Sequence, residues 1–336
     1  MPDYSLLSQG EARAKLGDDL ITQLGQLTAL AFAEFDGVVQ PSSHKTGWYL
    51  ARPGMDQELS GVAVCDGQIV SNVYVTRLRF PLGGQLLDVG MIDTVITHPQ
   101  HRRQGLARRL LERALSGLCA AGVEAAALYT PPGSLPFRIY ERMGFRLYRR
   151  SRVWTRERTT QPGDGQSEIE TNIAAMSDAP AIRALVNRYN ADKDGFVPLD
   201  ERLWAWRKLQ RPPTMPATVV VARKGDGLSG TLTFCPVELV KREEPRYHIY
   251  LTDLGLEGDS YAETLAALLR ASPWSGLCIT LAAENDQLLG ELLRDAGFTP
   301  APSEACLVYP LTPAAERTLK RDGRPWYVLP ESVVGV

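Results

Sequence analysis

The chain has 336 residues, 44% hydrophobic and 23% charged, with a formal net charge of −2, a globular composition long enough for two domains. No apolar run approaches the roughly 20 residues of a membrane helix, the N-terminus lacks the basic start and apolar stretch of a signal peptide, and the near-neutral charge gives no bulk electrostatic case for nucleic acid. The five cysteines are scattered without a C-x-x-C spacing, which reads as reduced, mostly buried thiols in a cytoplasmic protein.

Apolar spacing from Ala12 to Phe35 predicts a helix with one broad buried face. "GVAVCDGQIVSNVYVTRLRF" then reads as a β-hairpin around Asp66-Gly67, a favoured tight-turn pair. The chain turns at Pro81 to Gln85, and "LLDVGMIDTVIT" is a further strand. Gly105 to Gly122 is an amphipathic helix and "VEAAALYT" a strand; "LPFRIYERMG" is a short helix ending at Gly144, and "FRLYRRSRVW" a last strand. Polar residues 155–169, punctuated by Pro162 and Gly163, predict a linker between a first domain at 1–154 and a second at 170–311, with a tail at 312–336. In the second stretch "DAPAIRALVNRYNAD" is helix-like and Trp204 and Trp206 lie in an amphipathic segment. "ATVVVARK", a Gly-Asp-Gly turn and "SGTLTFCPVEL" read as two strands. Ser-Gly-Leu-Cys precedes a strand in both halves, and Gly144-Phe145 and Gly297-Phe298 each close a short helix. With the order of elements also alike, the reading is a duplicated domain.

"HPQHRRQGLARRLLERA" sets Arg102, Arg103 and Gln104 at the mouth of the helix that opens at Gly105. A helix N-terminus already carries partial positive charge, so added cations call for an anion, and a phosphate is the ready one. Glycine allows close backbone approach, and successive N–H groups make an anion-binding concavity. Lying after a strand and opening a helix, Arg102 to Ala107 resembles the R/Q-x-x-G-x-G/A acetyl-CoA-binding motif of the GNAT acetyltransferases, with Ala107 at the last position. The resemblance implies an α/β (α+β) fold of two tandem GNAT-like domains, each a mixed, mostly antiparallel sheet flanked by helices, and acetyl-CoA as co-substrate. It implies that Arg102, Arg103, Gln104, Gly105, Leu106, Ala107 and Arg108 hold the pyrophosphate, and that Val95, Ile96 and Thr97 pair with the pantetheine amides through their backbone.

"IYERMGF" resembles the tyrosine segment of that family, which makes Tyr140 the general acid that protonates the leaving thiolate. The asparagine often seen ahead of this helix in the family is absent, and "PPGSLPF" stands there. Glu34, Asp36, Asp88 and Asp93 are the carboxylates in elements that border the expected cleft; Asp93 is a candidate base and the other three candidate acceptor contacts. His98 and His101 read as loop residues, and no metal site is expected. The second half reads "LTDLGLEGDSYAE" where a phosphate loop should be, with Glu257 and Asp259 repelling a pyrophosphate, and Leu293 takes the place of Tyr140. That half is expected to be degenerate and to shape the acceptor site, with "DERLWAWRKL" as an aromatic wall on which a cation can rest.

The whole resembles the enhanced-intracellular-survival type of tandem acetyltransferase without its C-terminal sterol-carrier-like domain. This implies acetyl transfer to a primary amine, on a small molecule or a lysine side chain, with neither nucleic acid nor membrane as partner and a homo-oligomer as one option. It also makes the C-terminal carboxylate, at Val336, a candidate base. Two other readings stand beside it: a non-catalytic acyl-CoA-binding sensor or interaction module, and a mycothiol-synthase-like tandem acetyltransferase, for which an intact second phosphate loop is expected.

Overall fold

The computed structural model describes residues 2–32, 43–158, 168–241, 244–320 and 323–333. The N-terminal stretch forms β1 (Ser5–Ser8), α1 (Gln9–Leu16) and α2 (Asp19–Phe32) rather than one helix. Ser8 and Glu11 cap the start of α1 reciprocally, and Gly17, at φ 59°, stops it. After α3 (Ser43–Leu50) come the antiparallel strands β2 (Gly61–Cys65), β3 (Gln68–Leu82) and β4 (Gln85–Thr97). Their turns, Asp66-Gly67 and Gly83-Gly84, each place two successive residues at positive φ, as two-residue hairpins require. The first half closes with α4 (Leu106–Ala120), β5 (Ala125–Thr130), α5 (Leu135–Arg142) and β6 (Arg146–Arg158). β6 thus runs four residues into the segment whose composition suggests a linker.

The second half opens with β7 (Glu170–Ile173), α6 (Ala179–Asn190) and α7 (Glu201–Trp204), the last extended by a π-helical turn at Ala205–Leu209. Then follow β8 (Thr218–Lys224), β9 (Gly227–Lys241), β10 (Glu244–Leu256), α8 (Tyr261–Arg270), β11 (Gly276–Ala283), α9 (Gln287–Asp295) and β12 (Thr299–Pro310). Two short helices, α10 (Pro313–Thr318) and α11 (Pro330–Val333), end the described chain.

All twelve strands join one sheet, in the order β1-β2-β3-β4-β5-β12-β6-β11-β10-β9-β8-β7. Neighbours are antiparallel except β4 with β5 and β10 with β11. Each parallel pair holds for three residues only, Val89–Met91 beside Ala125–Ala127 and His248–Tyr250 beside Leu277–Ile279, and then opens as a wedge. Three residues past each last pair the strand bulges, at Thr94 (φ 48°) and at Asp253 (φ 51°). α5 and α9 also end alike: the Phe145 N–H returns to the Tyr140 carbonyl at 3.0 Å, and the Phe298 N–H to the Leu293 carbonyl at 2.9 Å, across glycines at positive φ. The two halves are therefore structural repeats, with Leu293 at the place of Tyr140.

The Ser-Gly-Leu-Cys match is not part of that repeat. Ser116 to Cys119 lie inside α4, where Leu118 faces the core, whereas Gly276 to Cys278 begin β11. Four residues of small and apolar character suit either a helix face or a buried strand, so the match carries no register.

The halves are not joined end to end. By repeat order β6 would lie beside β5 and β12 beside β11. Instead β12 pairs with β5, β6 pairs with β11, and the two exchanged strands pair with each other at the centre of the sheet. Ala305 and Leu307 of β12 pack in the first core with Leu110 and Tyr140, and Trp154 of β6 packs in the second core with Phe234 and Leu268. On the opposite face the C-terminal segment buries Trp326, Val328 and Leu329 against Phe80, Met91 and Ala127.

Candidate active site

The wedge between β4 and β5 leads to the N-terminus of α4. Beyond Met91, β4 keeps its pairing with β3 but none with β5, so the outward backbone groups of Val95, Ile96 and Thr97 border the opening. Eight residues, His98 to Gly105, then lead into α4. Arg103 (φ 63°) and Gly105 (φ 72°) are left-handed, and Gly105 is the N-cap with no side-chain hydrogen bond onto the helix. A Cβ built on Gly105 meets nothing within 4 Å, so the space over the helix mouth is open. Arg102, Arg103, Gln104, Gly105 and Arg108 are exposed, Ala107 is half-buried, and Leu106 is anchored in the core. Arg108 is paired along the helix with Glu112 at 2.8 Å. The first-turn N–H groups of a helix have no intrahelical acceptor, so this mouth concentrates unpaired donors, partial positive charge and guanidinium groups in one place. His98 and His101 sit in the loop as hydrogen-bonding residues: His98 Nδ1 accepts from the Gln100 N–H, and the Tyr4 hydroxyl lies 3.0 Å from His101 Nδ1.

The same wedge differs in the second half. Four residues, Glu257 to Ser260, connect β10 to α8, and Glu257 is tied to Arg188 at 2.8 Å. No arginine or lysine stands in that connection.

Tyr140 lies on α5, whose N-cap Ser134 accepts from the Phe137 N–H. Its ring is buried beside Phe145, and burial pushes the phenol well above its ordinary range, with the Glu304 carboxylate adding to the rise. Glu304 comes from β12, the strand that the second half inserts beside β5, and is the only charged residue between Thr299 and Pro310. Ala305 pairs with Thr130, so Glu304 stands at the C-terminal end of β5 where the chain turns towards α5. Burial raises its carboxyl to about 7. A lone acid in an apolar strand was the available signal for it in the sequence.

The carboxylates that border the cleft in the sequence reading fare differently. Asp93 is buried, ion-paired with Arg52, and its Oδ1 accepts from Thr94 Oγ1 at 2.9 Å and lies 3.1 Å from the Tyr49 hydroxyl. Both its oxygens are engaged, as befits a structural anion. Asp88 is exposed, 3.6 Å from Arg79, at the end of β4 away from the loop; nine residues at ~3.3 Å each separate it from Thr97. The structure does not bring it to the helix mouth. Glu34, Asp36 and Val336 lie outside the described residues.

A buried ionic cluster, which sequence reading did not find, joins the halves. The Tyr49 hydroxyl lies 3.1 Å from the Glu331 carbonyl, the Glu331 carboxylate meets Arg207 at 2.5 Å, and Arg207 meets Asp253 at 2.8 Å. Burial opposes ionisation of Asp253, yet Lys208 and Arg207 hold its carboxyl down at about 2. The segment holding Trp204 and Trp206 belongs to this seam. Trp206 is buried and stacks on Trp48 at 4.5 Å, each indole N–H donating to the other's carbonyl at 2.8 and 3.0 Å. The expected aromatic wall for an acceptor is therefore core: Trp204 and Trp206 are both buried in one apolar cluster with Trp48.

Residues 14–148 match the family model described as an acetyltransferase (GNAT) domain. No curated protein matches the sequence. Among solved structures, a GCN5-related N-acetyltransferase from Anabaena variabilis is similar at 16% identity, covering 92% of this chain and 73% of its own, with a TM-score of 0.65. A probable N-acyltransferase from Enterococcus faecalis is similar at 13% identity over 94% and 74%, with a TM-score of 0.65. Saccharomyces cerevisiae N-myristoyltransferase with bound myristoyl-CoA is similar at 12% identity over 92% and 84%, with a TM-score of 0.69. Residues 14–148 are thus similar to a GNAT acetyltransferase domain, and the chain shares its fold with these solved proteins.

Proposed function

We propose that the protein is an acyl-CoA-dependent N-acyltransferase that moves an acetyl group to a primary amine by direct attack on the thioester. The observation that carries this reading is the uncapped N-terminus of α4, with Arg103 and Gly105 left-handed and Arg102, Arg103 and Gln104 around it, at the open end of the β4/β5 wedge. The pyrophosphate rests on the N–H groups of 103–108, the pantetheine arm lies along the free edge of Val95 to Thr97, and the thioester reaches Tyr140. The amine attacks the carbonyl carbon, the C–S bond breaks, and the sulfur takes a proton from the Tyr140 hydroxyl. Asp93 anchors Arg52 and Tyr49 and is not the base. The proton that the amine loses passes to solvent at the open cleft. The acidic four-residue connection before α8 and the presence of Leu293 in place of Tyr140 leave one acyl-CoA site per chain, in the tandem arrangement that the enhanced-intracellular-survival type would have.

The test is turnover across acetyl-CoA and longer acyl-CoAs, since one similar fold holds myristoyl-CoA, against polyamines, aminoglycosides, amino acids and lysine peptides. Tyr140→Phe removes only a hydroxyl and should lower kcat by about 10²–10⁴-fold while leaving acyl-CoA affinity unchanged. A chain that binds acyl-CoA and acylates no amine would leave the binding module as the reading.

A further inference from the structure

The second wedge, between β10 and β11, is hollow. The strands part after Tyr250 and Ile279, and between them lies a chamber of about 60 Å³. Leu232 of β9, Leu265 and Leu269 of α8, Leu289 and Leu293 of α9 and Val328 of the C-terminal segment give it apolar walls. Beside it opens a surface basin of about 770 Å³, bordered by Arg188, Tyr261 and Gln287 among others. Tyr189, Lys193 and Asp286 line both spaces, so they stand at the passage between basin and chamber.

That passage holds buried donors in excess of acceptors. The Tyr189 hydroxyl oxygen is buried and has no hydrogen-bond partner among the described residues. Burial, with the Asp286 carboxylate adding to it, pushes this phenol well above its ordinary range, so it stays a donor. Lys193 is buried too, with its ammonium 4.9 Å from the centre of the Tyr189 ring. An ammonium has three N–H donors; among the described residues its one hydrogen-bond acceptor is Asp286 Oδ2, at 2.7 Å. The other oxygen of Asp286 is taken, accepting from the Leu289 N–H at 3.2 Å as the N-cap of α9. Buried donors left without acceptors are costly and uncommon in folded proteins. An acceptor atom placed in the passage would satisfy two of them at once.

We propose that the wedge between β10 and β11 binds a small neutral carbonyl compound with a short apolar tail, its carbonyl oxygen on Tyr189 and Lys193 and its tail in the chamber. The length follows from the volume. A cavity of about 150 Å³ accepts benzene, so by proportion this chamber takes a tail of about three carbons, and butyramide is the type. Charge argues for the neutral form. A carboxylate would set a second anion beside Asp286, and an ammonium would bring a second cation, and donors only, to Lys193. A pantetheine arm is not the occupant, because Asn190 Nδ2 already donates to the Leu254 carbonyl at 3.1 Å on the edge of β10 that faces the wedge. The occupant also touches the segment that ties the halves together: Trp326, Val328 and Pro330 line the chamber, and Trp326 Nε1 donates to the Tyr129 hydroxyl of β5 at 3.0 Å. The site is separate from the mouth of α4 and from Tyr140, and needs neither.

The experiment is saturation-transfer NMR on the full chain without acyl-CoA, titrating propanamide, butyramide, pentanamide and octanamide beside butyrate and butylammonium. Butyramide should bind with a dissociation constant on the order of millimolar. Affinity should rise about fourfold per added CH₂ until the chamber is full, and then level off. Tyr189→Phe deletes a hydroxyl that has no partner, so the variant should be at least as stable as wild type yet bind butyramide about 2- to 10-fold more weakly. Leu289→Trp should fill the chamber and abolish binding; where that variant does not fold, Tyr189→Phe carries the test. No amide binding, affinity that climbs unchecked through octanamide, or affinity unchanged by Tyr189→Phe overturns the site. Butyrate or butylammonium binding as tightly as butyramide overturns the neutral carbonyl class. None of these readings uses turnover, so failure of the acyl-transfer assay and failure of this site are told apart.

Discussion

Under the proposed function, anion binding turns on Gly105. Its φ of 72° favours glycine, yet the space where a Cβ would stand is open. Gly105→Ala should fold and keep most of the affinity, at a backbone cost of about 1 kcal/mol. Gly105→Asp adds a carboxylate over the same N–H groups. Losing charge-assisted hydrogen bonds of roughly 1.5–3 kcal/mol each should weaken CoA binding by two orders of magnitude or more, read by calorimetric titration against a folded control. Glu304 makes a second prediction at this scale. Its folded pKa is raised, from 4.5 to about 7, so between those values the folded state holds the proton more tightly than the unfolded chain does. Stability is lost as pH rises through that window. Glu304→Gln should therefore gain on wild type by on the order of 2–3 kcal/mol between pH 4.5 and pH 8, checked by urea unfolding at both pH values.

At the scale of elements the two exchanged strands carry most of the consequences. Leu307 is fully buried on β12 yet packs in the first core, with Leu110, Tyr140 and Phe145. Leu307→Ala should cost about 2–5 kcal/mol, and the loss should appear in a single unfolding transition followed by probes in both halves, because β12 and β6 are central in the sheet. Two separate transitions would count against that coupling. Local signals announced most elements: the Asp66-Gly67 turn, the amphipathic face of α4, the Gly144 and Gly297 stops. The break at Gly17 escaped the periodicity because α1 and α2 both keep apolar residues on the sheet side, and only the positive φ at Gly17 separates them.

For the molecule as a whole, the exchange means that neither half owns a complete sheet. A chain ending at Arg158 would leave β6 without β11 and β12, and β5 without β12. Both edges of β6 and one of β5 would be unpaired and the Leu307 site empty. Such a fragment should be aggregated or unfolded by circular dichroism and size-exclusion chromatography, whereas co-expression with residues 168–336 should restore a soluble pair. A soluble, folded fragment with acyl-transfer activity would show that β6 can take the place of β12. The seam of Arg52, Asp93, Tyr49, Glu331, Arg207, Asp253 and Lys208 adds to this interdependence, since the Tyr49 hydroxyl links the first half's ion pair to the Glu331 backbone and removing one charged member strands its buried partner.

The basic loop before α4, the short helix that carries Tyr140, and the acidic connection and Leu293 that stand in their places in the second half were legible in the sequence because each depends on neighbours within a few residues. A positive-φ glycine, a helix N-terminus and a run of arginines are local objects, and their chemistry follows from local backbone geometry. The exchange of β6 and β12, the placement of Glu304 at the C-terminal end of β5, the engagement of Asp93 and the burial of Trp206 against Trp48 were decided only by the tertiary structure. A strand's side-chain alternation records that one of its faces is buried, but says nothing of which edge it pairs with. A lone Glu in an apolar strand reads the same whether its carboxyl meets solvent, an arginine or a tyrosine more than 160 residues away. What distinguishes these cases is the dielectric and the charge brought to the carboxyl by elements distant in the chain, and that is set when the sheet closes.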